Sequence, residues 1–313
     1  MDHQKRFSSL RFSTSTTVPH IVKPHNQNYK HYVLWISLLF AAAVTFNSCV
    51  STPSLSPEDA ELLYPEPTFL PDFFEWQKLP AEHEIEYLRY TSADYPLIYH
   101  AVKINLEDPS LELVCYPAQP DTPSFFAGQQ TQTFASDNNC LIAINASPYT
   151  TKKGAFRRRQ LIGVHISNGA QLSPPNQRYA ALSFTRTDSG WHAQIINSQT
   201  PQVFTKSTYA FGAFYVILDH GVEQTFRAAN HDSRTAVGLS ENGKVLYILV
   251  AEGEKKSQSE GLSFQQCAKI LKKMGCTDAL EFDGGGSTQL CINGKSVLSY
   301  PNLRYQANSF GFR

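Results

Sequence analysis

The 313-residue chain carries 27 basic and 27 acidic side chains, a formal net charge of zero. That balance excludes the global basic field that draws a protein to nucleic acid, and no nucleic-acid partner is expected. With 42% hydrophobic and 17% charged residues, the chain has the composition of a globular protein with one large domain or two small ones, and its twenty Phe and fifteen Tyr supply core and sugar-stacking material.

The N-terminus reads as an export leader. Lys5, Arg6, Arg11, Lys23 and Lys30 form a basic stretch ahead of a mostly apolar run from Tyr32 to Phe46. That run is short for a transmembrane helix and fits a secretory signal. It ends at Phe46-Asn47-Ser48-Cys49, where a small residue before a cysteine is similar to a bacterial lipoprotein signal, although Leu is usual at the Phe46 position. Residues 1–48 are therefore expected to be a lipoprotein-type signal peptide, with simple cleavage as the alternative. Cys49 would become the lipidated N-terminus, holding an exported protein at a bacterial cell-envelope membrane without spanning it. Residues 49–84 read as a Pro/Ser-rich tether broken by Pro53, Pro57, Pro65, Pro67, Pro71 and Pro80. Phe69, Phe73, Phe74 and Trp76 argue that its end packs on the domain that occupies residues 85–313.

Beyond residue 84 the pattern is mostly strands. Tyr95 to Asn105 and Leu111 to Tyr116 are rich in β-formers, and Cys140 to Ile144 is a continuous apolar run. Asn168-Gly169, Asp188-Ser189-Gly190, Asn242-Gly243 and Asn293-Gly294 mark hairpin turns. Two helices are expected, at about 124–138 and at 263–274. The second starts at a capping box, Ser263 with Gln266, and stops at Gly275. The fold class is α+β: a single domain dominated by antiparallel strands and hairpins, with few helices. Five cysteines remain (Cys115, Cys140, Cys267, Cys276, Cys291), enough for at most two disulfides of undetermined pairing. The ten histidines show no metal-ligand spacing, so neither metal nor cofactor is expected.

The most informative segment is Glu281-Phe282-Asp283-Gly284-Gly285-Gly286-Ser287-Thr288. Three glycines let backbone approach a ligand closely, and the flanking carboxylate and hydroxyls suit a sugar or phosphate. A Gly-rich surface turn is the competing reading. The segment follows a helix and lies between strands, where a rigid scaffold holds a loop in place.

Ser233-Arg234-Thr235-Ala236-Val237-Gly238, the Glu252-Gly253 turn, Gly261-Leu262-Ser263, Asp283 through Thr288 and the tail Asn293-Gly294-Lys295 to Pro301 together resemble the ordered motifs of the phosphodiester glycosidase family. A weaker block, Ala143 to Ser147 with Leu161-Ile162-Gly163 and Ser167-Asn168-Gly169, extends the similarity upstream. The sequence departs from the family pattern at Ala146 to Tyr149, at Glu281-Phe282 and at Glu252. The resemblance implies hydrolysis of a sugar, N-acetylglucosamine in the first instance, from a glycosyl-1-phosphodiester in a glycan. A non-catalytic surface glycan-binding lipoprotein and a cell-wall glycosidase acting on a non-phosphorylated linkage remain alternatives.

That chemistry needs partners for the leaving phosphate and a carboxylate near the anomeric carbon. Asp283 is the first candidate for the carboxylate; bracing of the loop is its other reading. Glu281, two residues earlier, would share its face if both lay on a strand, roughly 6–7 Å away, making an acid–base pair; an ion pair with Arg234 is the alternative. Glu252 is a further candidate acid. Arg234 is the candidate phosphate ligand, or a surface salt bridge. Thr235, Ser287, Thr288 and the N–H groups of Gly284, Gly285 and Gly286 complete the expected binding set. Asn145 would bind a sugar hydroxyl or acetamido group, or else form an Asx turn. Arg157-Arg158-Arg159 reads as a solvated patch able to attract an anionic glycan phosphate.

Overall fold

In the strand Val245–Ala251, Leu246, Ile248 and Val250 point to one core, while Tyr247, Leu249 and Ala251 point to another. A strand apolar on both faces has to be covered on both, which makes it the middle of a layered structure. The computed structural model describes residues 68–118, 125–151, 158–227, 230–240 and 242–313. The leader, Cys49, the first part of the tether and Arg157 lie outside them.

An eight-stranded sheet runs in the order Gln77–Lys78, Ile85–Thr91, Ile98–Asn105, Val245–Ala251, Arg234–Leu239, Asp278–Glu281, Tyr215–Asp219, Val222–Glu223. Every pairing in it is antiparallel. One face carries Val237, Ile248 and Leu280 into a large core with Phe184, Phe211 and Phe310 from two five-stranded sheets. The other face carries Ala236, Leu249 and Ala279 against Cys267, Ile270 and Leu271 of the helix Phe264–Lys273. Each buried side chain of Phe or Leu size contributes roughly 1.5–3 kcal/mol relative to exposure. Asymmetry between the cores decides what a lost helix or a lost sheet exposes.

The helix begins at the expected capping box: Gln266 N donates to Ser263 Oγ at 3.2 Å, and Ser263 N donates to Gln266 Oε1 at 2.9 Å. The first expected helix is shorter than its apolar pattern suggested. Phe125–Ala127 pairs instead as a strand with Arg158–Leu161, and the helix spans only Thr131–Asp137. Strand pairing uses the Phe125 and Phe126 backbone that a helix would otherwise have claimed.

Asn168-Gly169 and Asn293-Gly294 turn their hairpins with φ values of 47° and 79°, and of 49° and 71°. This is the left-handed region that such turns require. Phe69 is buried, and Phe74 and Trp76 pack against the helix-side core, whereas Phe73 is exposed. All five described cysteines are free thiols.

The strand Ile142–Asn145 pairs with both Leu290–Ile292 and Ser309–Phe312. This places Asn145, the segment after Glu281 and the C-terminal tail together at one end of the fold.

Candidate active site around Asp283

Asn145 joins the two layers at this end. Its Nδ2 donates to the Asp283 carbonyl at 2.7 Å, and its Oδ1 accepts from Thr235 Oγ1 and from Gln289 N, both at 2.9 Å. Asp283 N donates to the Ala146 carbonyl at 2.9 Å. Asn145 is 1% exposed with its acceptor fully used, so it braces the loop, and Thr235 is part of that brace.

The glycine segment folds into a single 3-10 turn, Gly285–Ser287. Close approach explains its composition. A Cβ on Gly284 would lie 2.7 Å from the Ser233 carbonyl oxygen, and one on Gly286 would lie 2.5 Å from the Arg304 guanidinium. Gly285 has φ +56°, a further reason for glycine. Gly253 and Gly261 press on the same stretch from other loops: their Cβ positions fall 2.4 Å from Ser233 N and 2.1 Å from the Asp232 carbonyl oxygen. Two of the three expected N–H donors are already engaged. Gly285 N donates to the Ser233 carbonyl at 2.8 Å, and Gly284 N donates to the Asp283 carboxyl.

Asp283 is a half-buried carboxyl at the start of the turn. Burial pushes its pKa up to about 6, against the opposing pull of the Ser287 hydroxyl, the Arg304 charge and the Gly284 N–H. Arg304 also reaches Ser287 Oγ at 3.5 Å from Nη1. The turn is held from the tail. Asn302 Nδ2 donates to the Gly286 and Thr288 carbonyls at 3.1 and 2.7 Å, and Gln306 Nε2 donates to the Ser287 carbonyl at 2.9 Å. Thr288 Oγ1 is buried without a hydrogen-bond partner. Asp232 places a second carboxylate beside Gly285, its Oδ2 lying 3.6 Å from the Cβ position of that glycine.

The expected pairing of Glu281 with Asp283 is not what the fold builds. The strand ends at Glu281, so the two-residue alternation does not carry on to Asp283. Glu281 is fully buried under the helix, with the Cys267 thiol as its polar neighbour. Burial drives its pKa up to about 8, against the field of Arg234 and the neighbouring thiol, so it stands as a neutral acid at pH 7. Arg234 is likewise committed elsewhere. Its Nε donates to the Leu262 carbonyl at 2.9 Å and its Nη2 to the Asn230 carbonyl at 2.7 Å, and its guanidinium lies 4.2 Å from the Phe264 ring centre. The cation beside the glycine turn is Arg304.

Glu252 belongs to a neighbouring buried chain. His100 Nε2 lies 2.8 Å from Glu252 Oε1, and His100 Nδ1 lies 2.8 Å from the Tyr87 hydroxyl. Ser299 donates to Glu252 through its N–H at 3.1 Å and through its hydroxyl. Burial opposes the charge on Glu252, but the His100 and Ser299 hydrogen bonds outweigh it and hold the carboxyl below its ordinary pKa. Tyr300, next to Ser299, places its hydroxyl 3.3 Å from Ser233 Oγ, linking this chain to the glycine turn.

Arg304, Asp232, Asn302 and Gln306 escaped sequence reasoning because each sits in an irregular segment without a local motif. The available signal was the tail's composition: Lys295, Arg304 and Arg313 lie in a stretch that holds no carboxylate after Asp283. Potential metal ligands gather elsewhere, at Asp219, His220 and Asp278, whose ligand atoms lie within 4.8 Å of one another near the surface. No described helix is long and apolar enough to cross a membrane.

Residues 138–313 match the family model for phosphodiester glycosidase. The N-acetylglucosamine-1-phosphodiester alpha-N-acetylglucosaminidase of Bos taurus is 24% identical over 212 residues, which cover 61% of this chain and 38% of that protein. The chain thus spans well under half of that relative's length. The catalytic domain of the zebrafish enzyme of the same name, auto-inhibited by its pro-peptide, shares the fold with a TM-score of 0.59 at 17% identity, over 76% of this chain and 87% of the other. A hypothetical protein from Synechocystis does so with a TM-score of 0.57 at 16% identity, over 77% and 64%. With more than half of its length matched by the family model and with this α+β architecture, the chain belongs to the phosphodiester glycosidase family.

Proposed function

We propose that this chain is an exported hydrolase that releases a sugar, N-acetylglucosamine in the first instance, from a glycosyl-1-phosphodiester. The observation that carries this reading is Asp283, a carboxyl with a pKa of about 6 beside Arg304 and Ser287 on a glycine turn. A guanidinium holds a phosphate bidentately, which gives Arg304 the leaving group. A phosphate monoester leaves without needing a proton from an acid. The demand falls on stabilising positive charge at the anomeric carbon, which an ionised Asp283 meets. Ser287 orients that carboxylate, while Asn145, Thr235 and Gln306 hold the turn in position. Glu252 supports the turn through Ser299 and Tyr300 in this scheme.

The test is release of free N-acetylglucosamine by the purified protein from an N-acetylglucosamine-1-phosphodiester. Release by the wild type and not by Asp283→Ala supports the reading. Sugar-phosphate binding without release by the wild type moves the function to that of a glycan-binding protein. Export and lipid attachment at Cys49 belong to the same proposal. Labelling with a radioactive fatty acid in cells, lost in Cys49→Ala, checks them.

A further inference from the structure

Acidic and basic residues are equal in number over the whole chain but unevenly placed along it. From Asn138 to Thr187 the sequence contains no Asp or Glu, yet it holds Lys152, Lys153, Arg157, Arg158, Arg159, Arg178 and Arg186. No Asp or Glu follows Asp283, and Lys295, Arg304 and Arg313 do. Among the described residues, Tyr149, Arg159 and Leu161 of the first stretch contact the tail. The three-stranded sheet of Phe125–Ala127, Arg158–Leu161 and Tyr149–Thr151 is docked on the tail through a small core of Phe126, Leu161 and Ala307.

The docking ties Arg159 to the backbone of the residue that follows Arg304. Arg159 Nε donates to the Tyr305 carbonyl at 3.3 Å, and the Tyr149 hydroxyl donates to the same oxygen at 3.2 Å. The Arg159 guanidinium lies 5.4 Å from the centre of the Tyr149 ring. Tyr305 directly follows Arg304, so the Arg159 side chain is held one residue along the tail from Arg304. Lys103, Lys244, Lys272 and Arg313 each have a carboxylate partner. Among the described residues, Arg159 has none, and Arg304 has only the field of Asp283. Unneutralised guanidinium groups lined up outward from a phosphate site supply a field that attracts an extended anion.

We propose that the aglycone side of this site takes a polyanion: beyond the scissile phosphodiester, the substrate continues as a chain bearing further phosphate groups that lies along the Arg304–Arg159 rim. This rests on the phosphodiester-cleaving reading above and narrows its substrate class. A neutral aglycone would leave Arg159 without a counter-charge. A phosphate one link further along the chain would supply it.

The experiment compares two substrates. One is the methyl phosphodiester of N-acetylglucosamine-1-phosphate; the other carries the same sugar phosphate followed by two more phosphodiester groups on a propanediol chain. With the purified full chain, kcat/KM for the longer substrate is expected to be roughly tenfold higher at low salt, and to lose most of that preference between about 50 mM and about 500 mM NaCl. Arg159→Gln should abolish the preference and leave turnover of the methyl substrate unchanged. Arg159→Lys, which keeps the charge, should retain most of it and so separates charge from any packing defect. Equal kcat/KM for the two substrates in the wild type, or a preference that survives in Arg159→Gln, overturns the proposal. If neither substrate is cleaved, calorimetric titration with the longer one decides. Salt-sensitive binding that requires Arg159 upholds the rim and sinks only the hydrolase reading, whereas no binding sinks the rim as well.

Discussion

Replacing Asn145 with alanine should destabilise the protein far more than loss of a ligand contact would. The side chain is 1% exposed and makes three hydrogen bonds, to Thr235 Oγ1, Gln289 N and the Asp283 carbonyl. Truncation orphans three groups at once. An unsatisfied buried polar group costs about 1–3 kcal/mol. The Thr235 hydroxyl can rotate towards another acceptor, so the sum is placed at about 3–6 kcal/mol, a large part of the ~5–15 kcal/mol available to a domain. Urea unfolding followed by tryptophan fluorescence measures it. Asn145→Asp is the informative companion, because it keeps an acceptor for Thr235 and Gln289 but faces the Asp283 carbonyl with an oxygen. It too should lose stability, increasingly so as the introduced carboxyl ionises. If the alanine variant unfolds within about 1 kcal/mol of the wild type while sugar binding disappears, the bracing argument fails and Asn145 is a ligand contact.

Four other outcomes follow from the site. With the Asp283 pKa raised to about 6 and its ionised form doing the work, kcat/KM should rise with pH through about 6; a profile that falls there would assign the protonated form instead. The raised pKa has a stability consequence of known sign: the folded state holds the proton more tightly than the unfolded chain. Stability therefore falls as pH rises towards 6, and Asp283→Asn, read by urea titration, should be more stable than the wild type above that pH. Arg304→Ala removes the cation that lowers the Asp283 pKa, so the rising limb should move to higher pH while kcat/KM drops by about a hundredfold. Glu281→Gln should leave activity near wild type and abolish the loss of stability that the wild type suffers as pH climbs from 4.5 through about 8, where the buried carboxyl ionises, a difference visible in thermal melts at pH 5 and about pH 9.

Features that depend on spacing within one segment were open to sequence reasoning. Ser263 with Gln266 and the turns at Asn168-Gly169 and Asn293-Gly294 are local patterns, and each has the structure its pattern implies. The glycine segment could be recognised because close approach needs glycine whatever approaches. What approaches could not be read. Ser233 and Arg304 reach Gly284 and Gly286 from 51 and 18 residues away in the chain, differences fixed only by tertiary packing. Periodicity also misled where an element stopped early: a strand one turn longer would have put Asp283 in line with Glu281. Arg234 looked like an anion ligand because sequence shows the charge but not the carbonyls of Asn230 and Leu262 that occupy it.

The dipeptide Asp232-Ser233 is wedged between Gly253, Gly261 and Gly284, which come from three separate loops. Adding a methyl group to any one of them would push on the same two residues and, through the Ser233 carbonyl, on the N–H of Gly285. The three positions therefore act as one mechanical joint with three arms. Displacing the arm that follows Glu252 moves the arm that carries Asp283, so the carboxyl's position is set jointly by all three loops.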